Sequence, residues 1–131
     1  IADSNLIAEL DKLRDSYNVS YLAQEAALAA LRHLPIIEEH IQEICRVRDR
    51  FSEALVAMGY TVLPSNANFV FARPPKHNGK QVYDYLYNHG VLVRHFSTER
   101  LSPFVRISIG TDDDMQQVIE LLMSGSLLGH Y

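Results

Sequence analysis

Apolar residues recur at three-and-four spacing through the first half of the chain, and then mostly at a spacing of two outside the helices. Leu6, Leu10 and Leu13 share one helical stripe after Ser4-Asn5, a pair suited to capping. Asp15-Ser16-Tyr17-Asn18 reads as the turn that ends this helix. Ser20 caps a second helix over 21–34, rich in alanine at 23, 26, 27, 29 and 30. Alanine has the best helix propensity, and its size allows close packing. Pro35 suits the first turn of a third helix, where its missing N–H costs nothing. Ile37, Ile41, Ile44, Phe51, Leu55 and Met58 extend that helix over 36–58, with Arg48 as the polar intruder. Glu38 and Glu39 near its start and Arg46, Arg48 and Arg50 later follow the helix dipole, and Gly59 closes it.

The period then shortens. Residues 61–63 predict a strand ended by Pro64, and 68–72 a second. The link 64–67 is short enough to join antiparallel neighbours. After a loop over 73–79 come a helix over 80–89 with Val82 and Leu86 inward, and a strand over 91–96. A loop over 97–103 leads to a strand over 104–109. Gly110-Thr111-Asp112 opens a last helix whose stripe is Met115, Val118, Ile119 and Leu122. Residues 124–131 are expected to fray. The fold class that follows is α/β, as a two-layer α+β packing. A small, mainly antiparallel sheet packs on helices on one face, with the long helix as a spine.

Composition narrows the function classes. The 131 residues are 47% apolar and 21% charged, with one cysteine. This is the size of one domain, able to bury about two thirds of its unfolded surface. A single cysteine excludes a disulfide framework and a multi-cysteine zinc site. The net charge of −4 makes nucleic acid and anionic membrane poor partners. There is no run of about 18 apolar residues and no secretory segment, so a cytoplasmic location is the default. The chain opens on Ile1 rather than Met, which leads us to expect that it begins inside a longer protein.

Strand alternation singles out two arginines. Val105, Ile107 and Ile109 share one face; Phe104, Arg106 and Ser108 share the other. Val91 and Val93 likewise oppose Leu92 and Arg94. A guanidinium is a permanent charge with a planar fork that fits carboxylate or phosphate, so two on neighbouring strands would make an anion site. On pattern alone the plainer reading weighs more, two solvated arginines on an exposed sheet face. Asn68 could bond a ligand or simply cap its turn, and turn use is the commoner role. The Tyr17 hydroxyl could donate to a phosphate, or its ring could pack on the alanine-rich helix. The six histidines show no metal-ligand spacing, and His95 is the only one near the arginines. Cys45 reads as a core or boundary residue. No serine sits in a nucleophile elbow and no glycine-rich phosphate loop is present. Asp112-Asp113-Asp114 is explained by the helix dipole more simply than by a cation.

Several segments together resemble the histidinol-phosphate aminotransferases. They are Tyr17-Asn18-Val19-Ser20 with Ala23-Gln24, Gly59-Tyr60, and Pro64-Ser65-Asn66-Ala67-Asn68-Phe69-Val70. Gly90-Val91-Leu92-Val93-Arg94 and Val105-Arg106-Ile107-Ser108-Ile109-Gly110-Thr111 complete the ordered set, which spans nearly all of 1–124. Ser16 stands where many members have proline. The resemblance implies the C-terminal small domain of a fold-type-I pyridoxal-phosphate enzyme. Residues 1–35 would connect from a large domain, 36–124 would be the small domain, and 125–131 a tail. It further implies that Arg106 grips the α-carboxylate or phosphate of the substrate, that Arg94 is a second anion contact, that Asn68 lines the same mouth, and that Tyr17 lies where the family has an aromatic near the substrate phosphate. The implied partners are a phosphorylated amino acid and a 2-oxo acid, with a homodimer as the full-length enzyme.

Transamination needs a lysine that holds pyridoxal phosphate covalently and moves the proton. This chain has Lys12, Lys76 and Lys80, none in the family's Ser-Lys setting. No catalytic, cofactor-binding or metal residue is therefore assigned within it. The expectation is a fragment that alone neither holds cofactor well nor turns over. Two other readings compete. One is a lyase of the same fold, such as a threonine-phosphate decarboxylase. The other is a free-standing, non-enzymatic ligand-binding module, which would require a gene start just before Ile1.

Overall fold

The structure is a computed structural model that describes residues 2–16, 18–76 and 78–128. It divides into two compact units with the boundary between Glu38 and Glu39.

In the first unit, helix α1 spans Ser4–Asp11 and α2 spans Tyr21–Arg32. The cap of α1 is Asp3, whose carboxylate accepts the Asn5 N–H at 2.9 Å, one residue earlier than Ser4-Asn5 suggested. Ser20 does cap α2, its Oγ accepting from the Ala23 N–H at 3.2 Å. None of the residues of either helix is buried, and Leu10, Leu22 and Leu31 lie exposed. Helix α3 (Leu34–Ala57) starts two residues earlier than expected, with Pro35 in its first turn.

The second unit holds the packed core. Only the later part of α3 is buried, through Val47, Arg48, Phe51 and Leu55, while Ile37 and Ile41 stay exposed. Gly59 closes the helix with φ at +86°, a conformation costly for any residue with a Cβ. Strand β1 (Thr61–Val62), β2 (Phe69–Arg73), α4 (Gly79–Asn88), β3 (Arg94–His95), β4 (Val105–Ser108) and α5 (Asp112–Leu128) follow. The four strands form one sheet in the order β1-β2-β4-β3, antiparallel at each pairing. Val70 and Ala72 of β2 and Val105 and Ile107 of β4 are buried in one core. That core also contains Val82, Tyr85 and Leu86 of α4, Met115, Val118 and Leu122 of α5, and the α3 residues Val47, Phe51 and Leu55. This is the expected two-layer packing.

Local chemistry fixes the ends of the later helices. Asn78 and Gln81 form a reciprocal capping box at the start of α4. Gly79 is obligatory there, because a Cβ would lie 2.1 Å from the Phe104 carbonyl oxygen. At α5 the Thr111 hydroxyl and N–H both donate to Asp114, at 2.7 and 2.9 Å, and hold its carboxyl below its ordinary pKa. Asp112 pairs with Arg50 of α3. Most bounds shift by a residue or two, and two elements differ by more. The 91–96 strand shrinks to Arg94–His95, and α5 continues to Leu128 through the segment expected to fray.

Candidate functional site

The face of the sheet away from the core carries the candidate residues. Cross-strand partners point to the same side of a sheet. In register, Phe71 of β2 lies opposite Arg106 of β4, and Arg106 lies opposite Arg94 of β3. Phe69 lies opposite Ser108. One row across three strands therefore reads Phe71, Arg106, Arg94. The alternation that buries Val105 and Ile107 is what turns Arg106 outward.

Two like charges placed directly opposite each other destabilise a sheet. The guanidinium heads part along the strands. That of Arg106 lies over the Phe69 ring, 5.1 Å from its centroid, toward the Ser108 end. That of Arg94 lies over Phe96, at 5.4 Å, on the other side of the shared row. Among the described residues neither arginine has an ion-pair partner, and Nε of Arg106 is buried without a hydrogen bond. A buried charged donor left unsatisfied is costly, so this arrangement fits an incoming oxyanion.

An aromatic floor supports both heads. Phe71 stacks on Phe104 at 4.7 Å and meets Phe96 edge-on at 6.3 Å. These rings and Phe69 are all half-buried. This floor was not among the expected site residues. Its signal was there in Phe69-Val70-Phe71-Ala72, which is apolar on both faces of the strand and so implies cover on both.

Asn68 lies one residue before β2, exposed, with its carbonyl accepting the Ile109 N–H at 2.8 Å. The structure thus brings Asn68, Arg106 and Arg94 to one sheet, with the Arg106 head leaning toward the Asn68 end. Tyr17 lies outside the described residues. His95 is corrected: it is paired with Val105 on the opposite face of the sheet, and its Nε2 lies 3.0 Å from the Ser102 carbonyl. It directly follows Arg94 on the strand, and that single step reverses its direction. Lys12 is paired with Glu9 and Lys80 with Asp84, both on the exposed surface, and Lys76 is exposed as well. Among the described residues no group of three His, Cys, Asp or Glu side chains could hold a metal ion. No helix among them is long and apolar enough to cross a membrane.

Comparison with known proteins agrees with this architecture. The family described as aminotransferase class I and II matches residues 1–122. The histidinol-phosphate aminotransferase of Geotalea uraniireducens (strain Rf4) is 45% identical over 122 residues, which are 93% of this chain and 35% of that protein. The chain therefore spans about a third of the length of the curated relatives it matches. The crystal structure of histidinol-phosphate aminotransferase from Sinorhizobium meliloti in complex with pyridoxal-5'-phosphate superposes with a TM-score of 0.72 at 27% identity, over 88% of this chain and 33% of that one. L-threonine-O-3-phosphate decarboxylase from Porphyromonas gingivalis superposes with a TM-score of 0.76 at 26% identity, over 95% of this chain and 39% of that one.

Proposed function

The chain belongs to the class I and II aminotransferase family, and on that premise we propose that it is the substrate-gripping, small-domain part of a pyridoxal-phosphate aminotransferase. The reaction would move an amino group between histidinol phosphate and 2-oxoglutarate. The observation that carries this reading is the pair of register-opposed, unneutralised arginines on the open sheet face. Their parted heads suit two anionic positions, one for a carboxylate and one for a phosphate or second carboxylate. Arg106 is the first anchor, Arg94 the second, and Asn68 lines the same mouth; for Tyr17 the family resemblance implies a contact to the substrate phosphate. Holding the anionic end of a substrate fixes where its amino group lies, and positioning of this kind can supply a large part of a rate enhancement.

When bound, pyridoxal phosphate would supply the electron sink for the amino transfer. Lys12, Lys76 and Lys80 do not fit its covalent hold, since two are ion-paired at the surface and the third is exposed. That hold falls to residues outside this chain. Residues 1–35 would connect to them, 36–124 would be the small domain and 125–131 its tail. The full-length enzyme would be a cytoplasmic homodimer, and the isolated chain inactive.

The likeness to the threonine-phosphate decarboxylase supports a second reading, a lyase that grips a phosphorylated amino acid through the same two arginines. Assays of the full-length enzyme separate the two. Turnover of histidinol phosphate with 2-oxoglutarate supports the transaminase, and carbon dioxide release from threonine phosphate supports the lyase. In either case Arg106→Ala should lower kcat/KM by about 2 kcal/mol or more, the scale of a lost charge-assisted bond. Unchanged kinetics in that variant would overturn the anchor assignment.

A further inference from the structure

Arg48 is an anomaly in the core. It is the one buried charged residue among those described, 9% exposed, inside the apolar stripe of α3. Arginine is almost never buried without partners. Nε and Nη2 bind Asp49 Oδ1 at 3.0 and 2.9 Å, and Asp49 itself stands largely in solvent. Nη1 instead crosses to the loop between β1 and β2 and donates to the Ala67 carbonyl at 3.3 Å.

That carbonyl belongs to the same peptide plane as the Asn68 N–H. The next two carbonyls have other partners. The Asn68 carbonyl accepts from Ile109 at the end of β4, and the Phe69 carbonyl accepts from the Ser65 hydroxyl at 2.6 Å. Ser65 Oγ in turn accepts the Ala67 N–H at 3.2 Å. An open groove of about 690 Å³ runs beside this loop, lined by Ser52, Val56, Leu63, Pro64 and Ser65. Arg48 also lines that groove, and its hydrogen bond joins α3 to the loop. Phe69, two residues past the anchored carbonyl, is the ring on which the Arg106 head rests.

We propose that Arg48 is a positioning residue for the anion site: by fixing the peptide plane at Ala67 it sets the placement of Asn68 and of the Phe69 ring beneath Arg106. This rests on the assignment of Arg106 and Asn68 to substrate binding. Arg48 touches no substrate and acts through the loop.

The test is steady-state kinetics of the full-length enzyme with histidinol phosphate and 2-oxoglutarate, for Arg48→Met, Arg48→Lys, Asn68→Ala, the Arg48→Met/Asn68→Ala double variant, and Arg106→Ala. Arg48→Met should raise KM about tenfold with kcat within about twofold, the pattern of lost binding rather than lost chemistry. Arg48→Lys keeps one donor and should recover part of that loss. In the Asn68→Ala background, Arg48→Met should cost clearly less than its full tenfold, because the part of its effect carried through Asn68 is already lost while the part carried through Phe69 remains. Should Arg48→Met fail to fold, Ser65→Ala, which loosens the same loop, should raise KM on its own by about two- to threefold. A folded Arg48→Met with wild-type KM overturns the inference. So does a loss that multiplies in full with that of Asn68→Ala, or, if Arg48→Met fails to fold, a wild-type KM in Ser65→Ala. If Arg106→Ala raises KM and Arg48→Met does not, only the inference falls. If Arg106→Ala leaves KM unchanged, the anchor assignment fails first, and the inference with it.

Discussion

The two faces of the four-stranded sheet share one backbone and differ in every other respect. One presents Val70, Ala72, Val105 and Ile107, none more than 1% exposed, to the three helices of the second unit. The other presents Phe69, Phe71, Arg94, Arg106 and Ser108, partly open. The first is arranged as a core should be, with apolar side chains filling the space between layers. The second sets two cations opposite each other and leaves a buried donor without a partner. Contacts of the two heads with the Phe69 and Phe96 rings offset part of that cost, but leave the unpaired donor without a role in folding. The comparison teaches that alternation along a strand lets a single sheet separate stability from binding, residue by residue.

The comparison breaks if substitutions on the two faces act alike. The largest stability effect is expected on the closed face, where Ile107→Ala should cost about 2–5 kcal/mol in denaturant unfolding, through lost burial and a cavity. Gly79→Ala should cost about 1–3 kcal/mol by the same measurement, because its Cβ would meet the Phe104 backbone and push α4 outward. On the open face Arg106→Leu should leave stability unchanged or raise it by up to about 1 kcal/mol, since it removes one of two opposed charges. A destabilisation as large as that of Ile107→Ala would mean the open face is structural. The smallest effect concerns the exposed first turn of α5. The carboxyl of Asp114 titrates below its ordinary value because Thr111 donates to the ionised form. Its contribution is therefore complete above the unfolded-state pKa and is lost as pH falls below about 4 toward the folded-state value. Asp114→Asn should flatten that part of the acid unfolding profile, read by circular dichroism.

The sequence disclosed the periodic parts of this fold. The stripes predicted each helix among the described residues, with the cap of α1 one residue off, and the alternation at 104–109 identified which face Arg106 takes. The face that Arg94 takes was legible too, although its strand is only two residues long, because alternation persists in extended chain beyond the hydrogen-bonded ladder. Arg48 was legible only as an intruder in a helix stripe. Its partner is a backbone carbonyl 19 residues away, and such a carbonyl has no sequence signature. The parting of the two guanidinium heads was hidden for a similar reason. It depends on Phe69 and Phe96, which meet the arginines only once the strands are in register. His95 looked close to the site by proximity in sequence, but adjacent residues on a strand face opposite ways.

Both outer strands of the sheet, β1 and β3, are two residues long. Pro64 follows soon after β1, and Arg94 opens β3. A rim this short, bearing a cation on one side and a ring nitrogen that cannot donate close to the other, is a poor template for a neighbouring chain to extend by hydrogen bonding. Copies crowded together during synthesis or storage should consequently resist growth into cross-β fibres seeded from this sheet.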